Sequence, residues 1–254
     1  MDWRPTVAGD FDGRVALVTG AARGMGRAIA ELLTARGARV AVNDLNPEAT
    51  AATAEACGAE SLAVPGDVSD RDRVRAIVAE VADHYGRLDV LVNNAGVAFH
   101  RKIDEITDDE WSLVFAVNVQ AVFTFIQAAM GPMAANGYGR IVNFSSTAGK
   151  NVSTVAGAHY TASKAAVLGI TRASALELAV HGITVNSVCP GMIDTQMINE
   201  AWPRERIEAY IPSIPLQRLG QPEEVAELVA FLASERAGYI TGAAVDITGG
   251  ELMV

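Results

Sequence analysis

Tyr160 and Lys164 stand four residues apart in a segment with helical spacing, so both side chains share one helix face. A phenol ordinarily titrates near 10, too high for a base at neutral pH, and a cation one turn away favours the phenolate. The pair therefore reads as a general acid/base with its electrostatic activator. A tyrosine and a lysine at this spacing also occur on plain helix surfaces. Ser146 follows an apolar run, Arg140-Ile-Val-Asn-Phe144. A hydroxyl at the carboxyl end of such a strand can donate to a substrate carbonyl oxygen and steady charge developing on it. Ser145 is adjacent, and a serine there also suits a simple turn. Upstream, Gly20, Gly24 and Gly26, with Arg23 and Met25 among them, join the first apolar run to the first helical pattern. Glycines at that junction let the backbone turn tightly and approach a pyrophosphate seated on the helix N-terminus. Asp44 closes the next apolar run, where a carboxylate can accept from both hydroxyls of an adenosine ribose.

Positioning these groups requires an alternation of strands and helices, and the chain supplies one. Short Val/Ile/Leu/Ala runs at 14–19, 39–43, 61–64, 88–92, 140–144, 183–188 and 244–247 read as strands. Helical patterns at 24–36, from Pro47, 70–85, 107–134, 160–180 and 222–232 separate them. Runs apolar on both faces between helices describe parallel strands covered on both sides. The expected fold is α/β: a single Rossmann-type doubly wound parallel sheet with helices on both faces. Thr107-Asp-Asp-Glu110 reads as a capping box, and Pro222 followed by two glutamates as a helix start. One catalytic domain over 1–254 is expected, with a short N-terminal extension at 1–12 and an irregular substrate lid at about 191–221.

The glycine spacing departs from the common G-x-G-x-x-G fingerprint. Thr19-Gly20-x3-Gly24-x-Gly26, Asn93-Asn-Ala-Gly96, Ser146, Tyr160-x3-Lys164 and Pro190-Gly191 occur in that order. This set resembles the short-chain dehydrogenase/reductase family over roughly 14–250. Its general look is that of 3-oxoacyl-carrier-protein reductases and related sugar or secondary-alcohol dehydrogenases. The resemblance implies a catalytic set of Asn118, Ser146, Tyr160 and Lys164. In it Lys164 also holds the nicotinamide ribose, and Asn118 holds a water linking the lysine to solvent. The Ser-x-x-Gly pattern, Ser146 to Gly149, matches the family's catalytic position better than Ser145 does. The resemblance further implies that Asn94, Ala95 and Gly96 approach the cofactor, and that Asp67 and Val68 contact adenine. Pro190, Gly191, Ile193 and Thr195 would hold the nicotinamide carboxamide. The interval from Ser146 to Tyr160 is one residue longer than in the carrier-protein reductases, which leaves substrate identity open. Phe99, His100, Val155, His159, Met192, Gln196, Met197 and Trp202 are candidate pocket walls.

Asp44 implies NAD(H) rather than NADP(H), because a carboxylate repels a 2′-phosphate; Arg23 is the opposing signal. The function expected is hydride transfer between NAD(H) and a secondary alcohol or ketone, a 3-oxoacyl thioester foremost. A sugar, polyol or cyclic-alcohol dehydrogenase is the alternative, and a non-catalytic dinucleotide-binding protein the rival from another class. The 254 residues are 50% hydrophobic, with 20 basic against 30 acidic side chains, a net charge of -10. That acid excess argues against a nucleic-acid partner. Residues 1–12 lack the apolar core of a signal peptide. The uncharged stretch 111–130 holds too many polar residues for a typical span and reads as a buried helix, so no membrane partner is expected. Two cysteines point to a reduced, cytoplasmic setting. The four histidines show no metal-ligand spacing, and no metal is expected. Apolar residues run right around the 111–130 helix, which predicts a homo-oligomer, a tetramer by the resemblance.

Overall fold

The computed structural model describes residues 9–153 and 156–254. Most of the expected N-terminal extension (1–8) and the candidate wall residue Val155 lie outside them. Among the described residues seven strands form one all-parallel sheet: β1 (Val15–Thr19), β2 (Arg39–Asn43), β3 (Leu62–Ala63), β4 (Val90–Asn93), β5 (Gly139–Phe144), β6 (Ile183–Pro190) and β7 (Ala244–Ile247). Their order is β3-β2-β1-β4-β5-β6-β7, so the winding reverses between β1 and β4. A crevice opens there, beyond the carboxyl ends of the strands, where open α/β sheets take ligands.

Side-chain alternation along each strand splits the core into two layers. Ala16 and Val18 of β1 pack with Ile29 and Leu33 of α1 (Gly24–Ala35) and with Val225 and Val229 of α9 (Pro222–Ala233). Val15 and Leu17 face the other way. They join Ile77 of α3 (Arg71–Tyr85), Phe125 of α5 (Ala121–Ala135) and Val167 of α6 (Ala158–Leu178). The shorter α2 (Pro47–Ala56) lies against β2 and β3. The doubly wound α/β architecture expected from the alternation is present.

Three departures from the sequence reading have local causes. The long helix is interrupted: α4 (Asp108–Phe115) passes through a π-helical turn, Ala116–Gln120, before α5 begins. Thr107 caps it by accepting from Glu110 N at 3.1 Å, while the Glu110 carboxylate turns to Arg101 at 2.9 Å. The expected reciprocal half of the box thus goes to an ion pair. The stretch 191–221 is not wholly irregular, for it carries α7 (Gln196–Ala201) and α8 (Arg204–Tyr210). Trp202, Ile207, Ile214 and Leu219 give it a small apolar core of its own. Helix α6 starts at Ala158, which puts Tyr160 in its first turn.

The combined helix, Asp108–Ala135, is long and apolar enough to cross a membrane by length and composition. Half of its most apolar window is buried inside this structure, where Phe125, Ile126 and Ala129 meet the sheet. The other half matters below.

Candidate active site

At the reversal point, Asn94 locks the ends of β1 and β4 together. Its Nδ2 donates to Thr19 O at 3.0 Å and Gly20 O at 2.9 Å, while Thr19 Oγ1 accepts from the N–H of Asn94 and of Ala95. The turn into α1 has no room for a side chain at Gly26, where a Cβ would lie 2.2 Å from Gly20 O. Gly20 and Gly24 both take left-handed backbone, at φ +62° and +56°. Asp44, at the end of β2, accepts from Ala22 N at 3.1 Å and from Leu45 N at 2.8 Å. Its carbonyl accepts from Gly66 N at 2.9 Å, which draws the Asp67 loop alongside. Asp67 is exposed and caps its own loop through Ser69 N, and Val68 is buried. Arg23, preceding α1, pairs with Glu200 of α7 at 3.3 Å.

Farther along, Met25, Asn94, Gly96, Ser146, Tyr160, Lys164, Pro190, Gly191, Ile193 and Thr195 line one cavity. The two adjacent serines separate clearly. Ser145 is buried and donates to Lys164 O at 2.8 Å, whereas the Ser146 hydroxyl accepts from Ala148 N at 3.1 Å and lies close enough to the Tyr160 phenol to favour its ionised form. Lys164 is 5% exposed, and its Nζ donates to Phe144 O at 2.8 Å. Burial lowers the Lys164 ammonium to about 8, and the nearby Cys189 thiol opposes this only weakly. Burial likewise pushes the Tyr160 phenol above its usual value, outweighing the lowering effect of the nearby Ser146 hydroxyl. The expected lowering of Tyr160 by its cationic neighbour is therefore not what this arrangement produces. Lys164 is turned toward Phe144 O, with its Nζ 5.6 Å from the Tyr160 ring centroid.

Asn118 lies in the π turn, behind Gly96. Its Oδ1 accepts from Val97 N at 2.9 Å, and its Nδ2 donates to Val97 O and Ser163 Oγ. Both amide hydrogens are thus engaged, one fixing the loop after β4 and the other tying it to Ser163 of α6. π turns inside helices often mark functional positions, and this one presents Asn118 to that loop.

Of the candidate walls, His100, Met192 and Met197 line the cavity. Trp202 lines a separate groove between α7, α8 and the start of α9, and Gln196 is bonded to Glu200. Phe99 and His159 face each other at 6.2 Å and are not among the lining side chains. Of the lining residues outside the sequence reading, the charged one is Glu251, beyond β7. Gly249 and Gly250, at φ +62° and +89°, turn the chain back there and bring the carboxylate beside Gly191. A glutamate after paired glycines in an apolar tail was the available signal.

A family model described as enoyl-(acyl carrier protein) reductase, of the short-chain dehydrogenase/reductase group, matches residues 20–251. The chain belongs to the short-chain dehydrogenase/reductase family. It is 43% identical over 242 residues to 3-oxoacyl-[acyl-carrier-protein] reductase FabG of Staphylococcus aureus, covering 94% of this chain and 98% of that one. A crystal structure of 3-oxoacyl-[acyl-carrier protein] reductase from Brucella melitensis superposes with a TM-score of 0.91 at 36% identity, over 100% of this chain and 99% of that one. The structure of levodione reductase gives 0.90 at 34% identity, over 95% and 98%. As a short-chain dehydrogenase/reductase, the protein is an oxidoreductase acting on CH–OH or keto groups.

Proposed function

We propose that this protein interconverts a ketone and a secondary alcohol with NAD(H), using Ser146, Tyr160 and Lys164. The observation that carries the reading is that Ser146, Tyr160 and Lys164 line one cavity, with the Ser146 hydroxyl near enough to the Tyr160 phenol to favour its ionised form. Two hydroxyls converging on one point suit a single reacting oxygen, as in a carbonyl or carbinol. The nicotinamide supplies the hydride when bound. Ser146 steadies the carbonyl oxygen and Tyr160 gives it a proton as the carbon is reduced; in the reverse direction Tyr160 takes the proton back. Lys164 holds the ribose side of the site. Asn118, with its side-chain amide engaged by Val97 and Ser163, has the part of holding the water that links Lys164 to solvent. The 3-oxoacyl thioesters named for the relatives fit this arrangement, as do cyclic ketones and sugars. A non-catalytic dinucleotide-binding role leaves the intact Ser146–Tyr160 pair without a purpose.

The crevice fits a dinucleotide on its own chemistry. The closed-up Gly26 position and the N-terminus of α1 suit a pyrophosphate. Asp44 stands at the ribose end, where its carboxylate accepts from the backbone N–H of Ala22, Leu45 and, at 3.5 Å, Asn46. Arg23, the group that would favour a 2′-phosphate, is paired to Glu200. We expect NADH to exceed NADPH by at least tenfold in kcat/KM, with Asp44→Ala narrowing or reversing the gap; a hydrogen bond to a charged group contributes about 1.5–3 kcal/mol. Oxidation of NADH and NADPH with a panel of ketones tests both parts. No turnover of any ketone overturns the activity, and equal efficiencies overturn the cofactor preference.

Self-association follows from the exposed half of the long helix. Trp111 and Phe123 are 43% and 49% exposed, with Leu113 and Met130 beside them in exposure. Tyr239 before β7, and Met253 and Val254 after it, are also exposed. An apolar helix face that a second copy covers, in a family usually built as dimers of dimers, suits a tetramer. Light scattering should report a tetramer at micromolar concentration, and a monomer there overturns the reading.

A further inference from the structure

Glu251 places a carboxylate in the wall of the catalytic cavity, among Met192, Met197 and Ile198. Its Oε1 accepts from the Tyr210 hydroxyl of α8, and its Oε2 accepts from Met192 N at 3.3 Å. An ionised carboxylate takes about four hydrogen bonds. Two are present, one of them long, so acceptor capacity remains on a half-buried charge beside apolar neighbours. Such a charge costs stability unless something meets it. Its position is held closely: a Cβ on Gly191 would lie 2.5 Å from Oε2. Among the described residues the only formal cation lining the cavity is Lys164, and its ammonium already donates to Phe144 O.

We propose that Glu251 is a specificity residue of this site: it selects ketones carrying a hydrogen-bond donor, such as a hydroxyl, away from the reacting carbon, and rejects carboxylates. This rests on the ketone/alcohol reading above and narrows its substrate class. A donor on the substrate completes the acceptor capacity of Glu251. An anionic group meets like charge with no lining arginine to offset it. The competing role for Glu251 is purely mechanical, as the acceptor through which Tyr210 holds α8 over the cavity. That role treats all substrates alike.

Three ketones on one ring separate the two: cyclohexanone, 4-hydroxycyclohexanone and 4-oxocyclohexanecarboxylate. In the unmodified protein kcat/KM should be at least tenfold higher for the hydroxy ketone than for the carboxylate, with cyclohexanone between. Glu251→Gln keeps an acceptor for Tyr210 and removes the charge. It should lower the efficiency for the hydroxy ketone and raise that for the carboxylate, closing the gap to about threefold or less, while cyclohexanone changes little. Tyr210→Phe should shift all three together. Equal treatment of the carboxylate and hydroxy ketone by the unmodified protein overturns the proposal, as does a Glu251→Gln effect equal on all three. If none of the three is reduced, the ketone/alcohol reading fails instead. Dissociation constants for the same compounds, by calorimetry with dinucleotide present, then decide Glu251 by the same order.

Discussion

Tyr160→Phe should cut turnover by about a hundredfold or more while leaving dinucleotide affinity within about twofold, since a positioned acid/base contributes 10²–10⁴. Only the hydroxyl exchanges the proton, and the ring that packs the site is unchanged. The environment also fixes a direction with pH. Burial holds the Tyr160 phenol above its ordinary value, so the proton is in place for ketone reduction at neutral pH. Alcohol oxidation needs the phenolate, so its rate should climb with pH through the alkaline range while reduction at neutral pH stays flat. Single-turnover rates in both directions, with dinucleotide binding measured by calorimetry, check this. A variant keeping more than a few per cent of the parent rate at saturating substrate shows that another group moves the proton.

The strand–helix alternation was legible because the central parallel strands are buried on both faces and therefore show as largely apolar runs. Val15–Thr19 and Val90–Asn93 are such runs, each ending in a buried polar side chain that is hydrogen-bonded within the sheet. The glycine turn and the Tyr160–Lys164 pair were legible because spacing alone puts them at a strand end and on a helix face. The π turn at Ala116–Gln120 was not legible: it arises from Asn118 bonding across to Val97 and Ser163, partners 21 and 45 residues away. The helices of 191–221 were hidden because each is short and flanked by prolines, and Trp202 and Ile214 find their contacts only within the folded lid. The Ser-x-x-Gly resemblance alone favours Ser146 over Ser145, and the fold supplies the physical ground: the Ser145 hydroxyl is spent on Lys164 O, which leaves Ser146 beside Tyr160 in the cavity.

Lys164→Met should abolish most turnover and weaken dinucleotide binding, yet raise the melting temperature at pH 7. Lys164 is 5% exposed, and burial brings its ammonium from 10.5 down to about 8. That fall corresponds to about 3 kcal/mol of penalty on the charged form. Methionine keeps most of the stem's volume and removes the charge, but it leaves Phe144 O one donor short, at about 1–2 kcal/mol. The net gain of about 1–2 kcal/mol amounts to roughly 3–6 °C for a chain of this size. The sign with pH follows from proton counting. Between about 8 and 10.5 the unfolded chain carries the Lys164 proton and the folded chain does not. The contribution of Lys164 to stability therefore rises across that window, and the variant's advantage should shrink from pH 7 toward pH 10. Calorimetric melting of both proteins at pH 7 and 9.5 measures it. A lower melting temperature for the variant at pH 7 would mean that the Lys164–Phe144 bond holds the fold, whereas the expected rise marks a cation kept against its folding cost because the chemistry beside Tyr160 requires it.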